Sequence, residues 1–121
     1  MTLHLQPVNL VLDIGNTSAS AAIFKGKEIV AQVALLREED LKRLLGEFSI
    51  SNCAVSNVKT RDRISKMIHQ LNPIIVNHET RLPIVIEYRT PETLGSDRIC
   101  AAVGGHVSYP DNTVLTIDLG T

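Results

Sequence analysis

The sequence has little of what marks several large classes of protein. Its 12 Lys and Arg residues are balanced by 13 Asp and Glu, which leaves a formal net charge of -1. Without excess positive charge or a Lys/Arg cluster, the chain lacks the long-range field that attracts a phosphate backbone. No apolar run approaches the roughly 20 residues of a membrane-spanning helix, and the N-terminus shows no basic segment followed by an apolar stretch. We therefore expect no nucleic-acid partner, no membrane span and a cytoplasmic location.

Cysteine is also scarce, and neither thiol has a second one at metal-ligand spacing. Cys53 and Cys100 stand in apolar stretches, so we expect both to be buried core thiols. The four histidines share no metal-ligand spacing, and we expect His69 on an exposed helix face and His78 in a loop. The sequence contains no Walker A motif and no Gly-x-Gly-x-x-Gly motif. The P-loop and Rossmann modes of nucleotide binding are therefore not supported.

What is present is typical of one folded domain that binds small ligands. Of the 121 residues, 44% are hydrophobic, 21% are charged and five are proline, which is enough apolar material for a core. The apolar patterns predict an α/β fold that opens with an antiparallel meander of three strands, over residues 8–14, 18–24 and 28–35. Helices from residue 37 and over residues 64–71, the second capped by Thr60, then alternate with short strands at 52–56 and 74–76. This alternation predicts parallel strands joined by crossover helices.

The last third of the sequence predicts two more strands around a helix. The strands are expected over residues 84–88 and 113–117, and the helix over residues 96–107, with Ile99 on its apolar face. Gly104 and Gly105 weaken the last turn of this helix by about 1 kcal/mol each. The same glycines permit close packing against it.

A short signature occurs twice, each time at the end of an apolar strand. Both copies deliver an Asp, an apolar residue, a Gly and, within two positions, a Thr: Asp13-Ile14-Gly15-Asn16-Thr17 and Asp118-Leu119-Gly120-Thr121. The Asp can hold Mg²⁺ or its water, the Gly lets a phosphate approach the backbone, and the Thr adds a hydroxyl donor. Turn chemistry explains a single copy equally well. Two copies favour phosphate binding.

Between the two copies lies Leu94-Gly95-Ser96-Asp97-Arg98, and with it the sequence closely resembles type III pantothenate kinases of the actin, heat-shock-protein-70 and sugar-kinase superfamily. Gly-x-Asp-Arg is the specific element. The segment Ser56-Asn57-Val58 resembles a further family segment, which usually has a second Ser where Asn57 stands. The resemblance implies a ribonuclease-H-like domain of the actin/sugar-kinase type over residues 1–110. Residues 111–121 would then be the first strand and phosphate loop of a second, truncated domain.

The resemblance also implies roles for single residues. The first ATP phosphate loop would comprise Asp13, Ile14, Gly15, Asn16, Thr17, Ser18, Ala19 and Ser20, and Thr121 would be a further ATP contact. The pantothenate site would comprise Asn16, Tyr88, Gly95, Ser96, Asp97 and Arg98, with Asp97 as general base. Asp13 would hold Mg²⁺ directly or through water, and Asp118 would bind a monovalent cation, K⁺ or NH₄⁺.

The chemistry of phosphoryl transfer agrees with a catalytic role for Asp97, because an attacking primary hydroxyl needs a carboxylate within hydrogen-bond reach. An acidic residue in the first turn of a helix can also simply interact with the helix dipole. Arg98 is either a solvated helix residue or a partner for the carboxylate of the substrate. The Gly-x-Asp-Arg context favours the functional interpretation of both residues.

The resemblance implies ATP-dependent phosphorylation of pantothenate to 4'-phosphopantothenate, the first step of coenzyme A biosynthesis, by a protein that is a homodimer at full length. We expect residues 1–121 alone to be inactive, because one wall of the nucleotide cleft would be missing. A non-catalytic regulatory protein similar to the Bvg accessory factors is one alternative, which the intact Asp13, Asp97, Arg98 and Asp118 argue against. Another phosphotransferase or a phosphatase of the superfamily is a second alternative, which the Gly-x-Asp-Arg element argues against.

Overall fold

The computed structural model describes residues 6–57 and 63–119, and it shows a mixed α/β protein. The chain divides into two compact units, Met1–Ile75 and Val76–Thr121. The first unit holds a five-stranded sheet, and the second is built around one long helix. None of the helices in these described ranges is both long and apolar enough to cross a membrane.

The sheet of the first unit combines antiparallel and parallel pairing. Its strands are β1 (Val8–Ile14), β2 (Ala19–Lys25), β3 (Glu28–Val33), β4 (Asn52–Asn57) and β5 (Ile74–Ile75), in the order β3-β2-β1-β4-β5. The first three form an antiparallel meander, and β4 and β5 add in parallel to β1. The predicted meander and the predicted parallel strands are therefore both present, with strand ends shifted by one or two residues.

The core lies on one face of this sheet, because side chains alternate between the two faces of a strand. In β1 the residues on that face are Leu10, Leu12 and Ile14, all buried. Their cross-strand neighbours on the same face include Ile23 of β2 and Val55 of β4. Helix α1 (Glu38–Glu47) and the segment that follows β4 complete the cluster with four further buried side chains: Leu41, Leu44, Ile64 and Ile68.

Both predicted helices of the first unit are present, although the second is shorter and tighter than predicted. Asp40 accepts hydrogen bonds from the Arg37 side chain (3.1 Å) and backbone N–H (3.0 Å) at the start of α1, and this lowers the pKa of its carboxyl. Helix α2 (Arg63–Met67) gives way to a 3-10 turn, His69–Leu71, that ends at Asn72 in a left-handed conformation, φ 48°. His69 is exposed as expected. The predicted cap Thr60 lies outside the described residues.

The second unit contains helix α3 (Ser96–Ser108), which matches the predicted helix, and a preceding 3-10 turn, Pro91–Thr93. The strands predicted over residues 84–88 and 113–117 are wrong: neither segment is among the five strands of the described chain. Residues 84–88 do alternate between half-buried and exposed at Ile84, Val85 and Ile86. A strand also needs a neighbour for its backbone hydrogen bonds, and an apolar pattern alone does not supply that neighbour.

The two neighbouring glycines of helix α3 differ in how closely other residues approach them. A Cβ at Gly105 would lie 3.0 Å from side-chain atoms of Val114 and of Thr116, so the predicted close packing is confirmed at Gly105. Nothing lies within 4 Å of a Cβ at Gly104, so the prediction of close packing is wrong at Gly104.

The two cysteines differ in exposure. Cys53 is buried, and burial raises the pKa of its thiol to about 11. Cys100 is exposed, because it lies about 100° around the helix from the buried Ile99. The expectation of a buried thiol at Cys100 is therefore wrong.

The burial pattern of the sheet predicts a large difference between two identical substitutions. Ile23 of β2 is fully buried, whereas Ile29 of β3 is 50% exposed. Ile23→Val removes a packed methyl group and should lower the free energy of unfolding by about 0.5–1.5 kcal/mol. The matched Ile29→Val should change it by less than about 0.5 kcal/mol. Urea denaturation followed by circular dichroism measures both, and equal losses would contradict the placement of the core.

Candidate functional site

The first predicted phosphate loop is a tight turn between β1 and β2. The Gly15 N–H donates a hydrogen bond to the Ser18 carbonyl oxygen at 2.9 Å, which closes the turn. A Cβ at Gly15 would lie 3.1 Å from that oxygen, a tight contact that would push the Ser18 carbonyl back by a few tenths of an ångström. Asn16, Thr17 and Ser18 are exposed at its tip. The turn therefore presents the side-chain amide of Asn16 and the hydroxyl groups of Thr17 and Ser18 to solvent, beside the end of strand β1.

Asp13 has oxygen-bearing neighbours on both sides. It pairs with Ser20 of β2 and with Ser56 of β4, and directly paired residues project from the same face of a sheet. This face is the one opposite the core. Asp13 is exposed there, and Ser56 is buried beside it. Sequence reasoning identified Asp13 and Ser20, but it gave no role to Ser56. The signal for it was the parallel pairing predicted for its strand, which aligns the carboxyl ends of neighbouring strands.

The donors around Asp13 suit Mg²⁺ only in the presence of a phosphate-bearing ligand. Across residues 6–57 and 63–119, no three His, Cys, Asp or Glu side chains come together as a metal centre. Asp13 supplies one carboxylate, and Ser20 and Ser56 add hydroxyl oxygens directly opposite it on the neighbouring strands β2 and β4. Mg²⁺ is commonly held by one or two carboxylates together with water and substrate phosphates. The oxygen donors present fit that pattern.

The Gly-x-Asp-Arg element forms the start of helix α3 in the second unit. Gly95 is the N-cap residue with extended backbone, φ −62° and ψ 141°, and Ser96 begins the helix. Asp97 and Arg98 lie in the first turn, and both are exposed. The Arg98 backbone N–H donates both to Oδ1 of Asp97, at 2.9 Å, and to the Gly95 carbonyl oxygen, at 3.1 Å. The Asp97 carboxylate is thus held by the helix start and is still open to solvent. This arrangement is compatible with a general base and equally with an acidic residue that only interacts with the helix dipole.

A pocket of about 360 Å³ lies in the same unit. Its apolar walls come from Ile84, Val85, Ile86, Leu94, Ile99 and Ala102, and its polar lining comes from Glu87, Tyr88 and Arg98. A volume of this size suits a small organic ligand, and mostly apolar walls with a few polar groups are typical of such sites. Sequence reasoning found Tyr88 and Arg98 but missed the apolar walls. The alternation of residues 84–86 and the helical spacing of Ile99 and Ala102 were the available signals.

The structure brings together some of the predicted residues. Tyr88 and Arg98 line one pocket, whereas Gly95, Ser96 and Asp97 adjoin it in sequence without lining it. The loop with Asn16, predicted for both ATP and pantothenate, belongs to the first unit. Asp118 lies in the exposed segment of residues 111–119. Gly120, Thr121 and Val58 lie outside the described residues, as does the side chain of Asn57.

Comparison with known proteins identifies relatives across nearly the whole chain. The chain is 33% identical over 114 residues to a type III pantothenate kinase of Cytophaga hutchinsonii, covering 94% of this chain and 48% of the relative. It is 34% identical over 121 residues to that of Bacteroides fragilis strain YCH46, with 94% and 49% covered. Against the type III pantothenate kinase of Aquifex aeolicus it is 32% identical over 115 residues, with 93% and 47% covered.

The chain therefore spans about half the length of the curated relatives it matches. The sequence model of one family, described as type III pantothenate kinase, matches residues 9–121. This match contains the turn after β1 and the whole Gly-x-Asp-Arg element at the start of α3. Since it covers almost all of the sequence, the chain belongs to the type III pantothenate kinase family.

Proposed function

We propose that this chain supplies the first phosphate loop and the acceptor site of an enzyme that transfers the γ-phosphoryl group of ATP to pantothenate. The product, 4'-phosphopantothenate, is the first intermediate on the way to coenzyme A. One observation carries the proposal: the exposed Asp97 carboxylate at the start of α3 directly precedes Arg98, which lines a pocket of small-molecule size. Family membership and the names of the relatives support the choice of pantothenate as acceptor.

The pocket has the chemistry that pantothenate requires. Pantothenate carries a carboxylate at one end and a branched apolar carbon beside its primary hydroxyl at the other. Arg98 binds the carboxylate through charge-assisted hydrogen bonds, and the Tyr88 phenol adds a polar contact. The branched carbon packs on the apolar walls that Leu94 and Ile99 contribute. Gly95 and Ser96 adjoin the reacting hydroxyl.

Asp97 acts as the general base in this proposal. Its Oδ1 is held by the Arg98 N–H, so Oδ2 is the oxygen that accepts the proton of the primary hydroxyl as that hydroxyl attacks phosphorus in line. The hydrogen bond at Oδ1 fixes the direction of the carboxylate before the substrate arrives. A base held in place in this way needs no reorganisation during the reaction.

The turn between β1 and β2 binds the phosphates of ATP through its backbone amides and hydroxyl groups, from Asp13 through Ser20. Asp13 holds Mg²⁺, directly or through water, with Ser20 and Ser56 beside it. Asp118 is the ligand for a monovalent cation, K⁺ or NH₄⁺, and Thr121 contacts ATP. Bound cations neutralise the charge that develops on the transferred phosphoryl group. Because the relatives are about twice as long, turnover is assayed in the full-length form of the protein.

The base assignment predicts the effect of Asp97→Asn. Asparagine keeps an oxygen that can accept from the Arg98 N–H, so the helix start is preserved while the proton acceptor is lost. We expect kcat to fall by about 10² to 10⁴, the range for a general base, with an unchanged melting temperature. Steady-state kinetics with ATP and pantothenate measure the change.

The control is Glu92→Gln, which removes an exposed carboxylate five residues earlier, in the 3-10 turn, and should leave kcat within a factor of two. If Asp97→Asn also retains kcat within a factor of two, the carboxylate serves only the helix and the base assignment is wrong.

The cation assignments predict a requirement for both Mg²⁺ and K⁺ or NH₄⁺. Replacing K⁺ by Na⁺ at constant ionic strength should abolish most of the activity, and Asp118→Asn should weaken activation by K⁺ because the site loses its carboxylate. Initial rates across a K⁺ titration measure both effects. Full activity in Na⁺ alone would show that Asp118 is not the ligand of a selective cation site.

A further inference from the structure

Gly95 stands unusually close to the Asp97 carboxylate. A Cβ built on Gly95 would lie 2.6 Å from Oδ1 of Asp97 and 3.8 Å from its Cγ. Non-bonded carbon and oxygen atoms do not approach this closely, so a side chain at position 95 and the observed position of Oδ1 exclude each other. The same Oδ1 accepts the hydrogen bond from the Arg98 N–H at 2.9 Å.

The backbone at position 95 does not itself require glycine. Its φ of −62° and ψ of 141° are ordinary extended values that any L-residue adopts. Gly26 differs in this respect, because its φ of +60° favours glycine on conformational grounds. What glycine contributes at position 95 is therefore space, and the group that occupies this space is the carboxylate of Asp97.

We propose that Gly95 is a positioning residue for Asp97: the missing Cβ leaves room for the carboxylate to lie against the N-cap and accept the Arg98 N–H. A methyl group at this position turns the carboxylate into another rotamer, breaks that hydrogen bond and moves the proton-accepting oxygen. The consequence for turnover rests on the proposed function, in which Asp97 is the base. The consequence for the position of the carboxylate rests on the geometry alone.

The inference predicts that Gly95→Ala and Gly95→Ser both lower kcat, by about 10-fold to 100-fold, as expected when a reacting group is displaced by about 1 Å. Serine is a preferred N-cap residue, so Gly95→Ser should keep or raise the melting temperature. A loss of kcat in this variant is therefore not a loss of folding. Gly104→Ala is the matched control in the same helix, because nothing lies within 4 Å of its Cβ position; it should leave kcat unchanged.

A double-mutant cycle separates positioning of the base from contact with the substrate. In the Asp97→Asn background there is no base to displace, so adding Gly95→Ala should change the residual kcat by less than about two-fold. If Gly95→Ala costs the same factor in both backgrounds, Gly95 acts on the substrate, and the inference is wrong. Where Asp97→Asn lowers kcat, an unchanged kcat in Gly95→Ala would overturn it as well.

The Arg98 amide gives a readout that does not depend on turnover. In Gly95→Ala the Arg98 N–H loses its hydrogen bond to Asp97 and keeps only the Gly95 carbonyl oxygen as acceptor, so its amide proton should shift upfield. It should stay in place in Gly104→Ala, as measured by ¹H–¹⁵N NMR spectroscopy. An unshifted Arg98 amide in Gly95→Ala overturns the inference. Failure of the proposed function has a different signature, namely that Asp97→Asn leaves kcat unchanged while the amide shift is still observed.

Discussion

Hydrogen bonding on both edges of β1 is the constraint on which the first unit depends. The strand pairs with β2 in antiparallel fashion and with β4 in parallel, so its register fixes two neighbours at once. The period of two then sends Leu10, Leu12 and Ile14 into the core and Asp13 to the opposite face. A slip of one residue would bury Asp13 and expose the three apolar side chains. The free-energy cost of burying the Asp13 carboxylate and exposing three apolar side chains keeps the register fixed, and the carboxylate therefore stays at the end of the strand, beside Ser20 and Ser56.

The Gly-x-Asp-Arg element depends on a much more local constraint. The first turn of α3 orders Gly95, Asp97 and Arg98 through one backbone geometry, in which the Arg98 N–H points at Oδ1 of Asp97. The helix start that orients the Asp97 carboxylate also places Arg98 in the lining of the pocket. Four consecutive residues thus combine an N-cap without a side chain, a fixed carboxylate and a guanidinium group in the pocket lining. This explains in physical terms why Gly-x-Asp-Arg is more informative than any of its residues alone.

Local periodicity was enough to predict most of the first unit. The alternation in β1 and the i, i+3, i+4 spacing of Leu41, Leu44 and Leu45 in α1 report burial directly, and both elements were predicted within about two residues. Residues 84–88 and 113–117 show similar apolar character, but no described segment pairs with them. Periodicity indicates which side chains are buried, and it does not identify the partner of a strand. For the same reason local pattern did not show that Ser56 lies opposite Asp13, or that the apolar faces of residues 84–86 and of α3 meet in one pocket.

The proposed acceptor site for pantothenate is tested most directly by transfer of label from [γ-³²P]ATP to pantothenate by the full-length protein, with the products separated and identified by mass spectrometry. We expect label on the primary hydroxyl of pantothenate, and much weaker labelling of panthenol, which has an alcohol in place of the carboxylate that Arg98 would bind. No label on pantothenate from a folded protein that binds ATP, or equal labelling of pantothenate and panthenol, would contradict it.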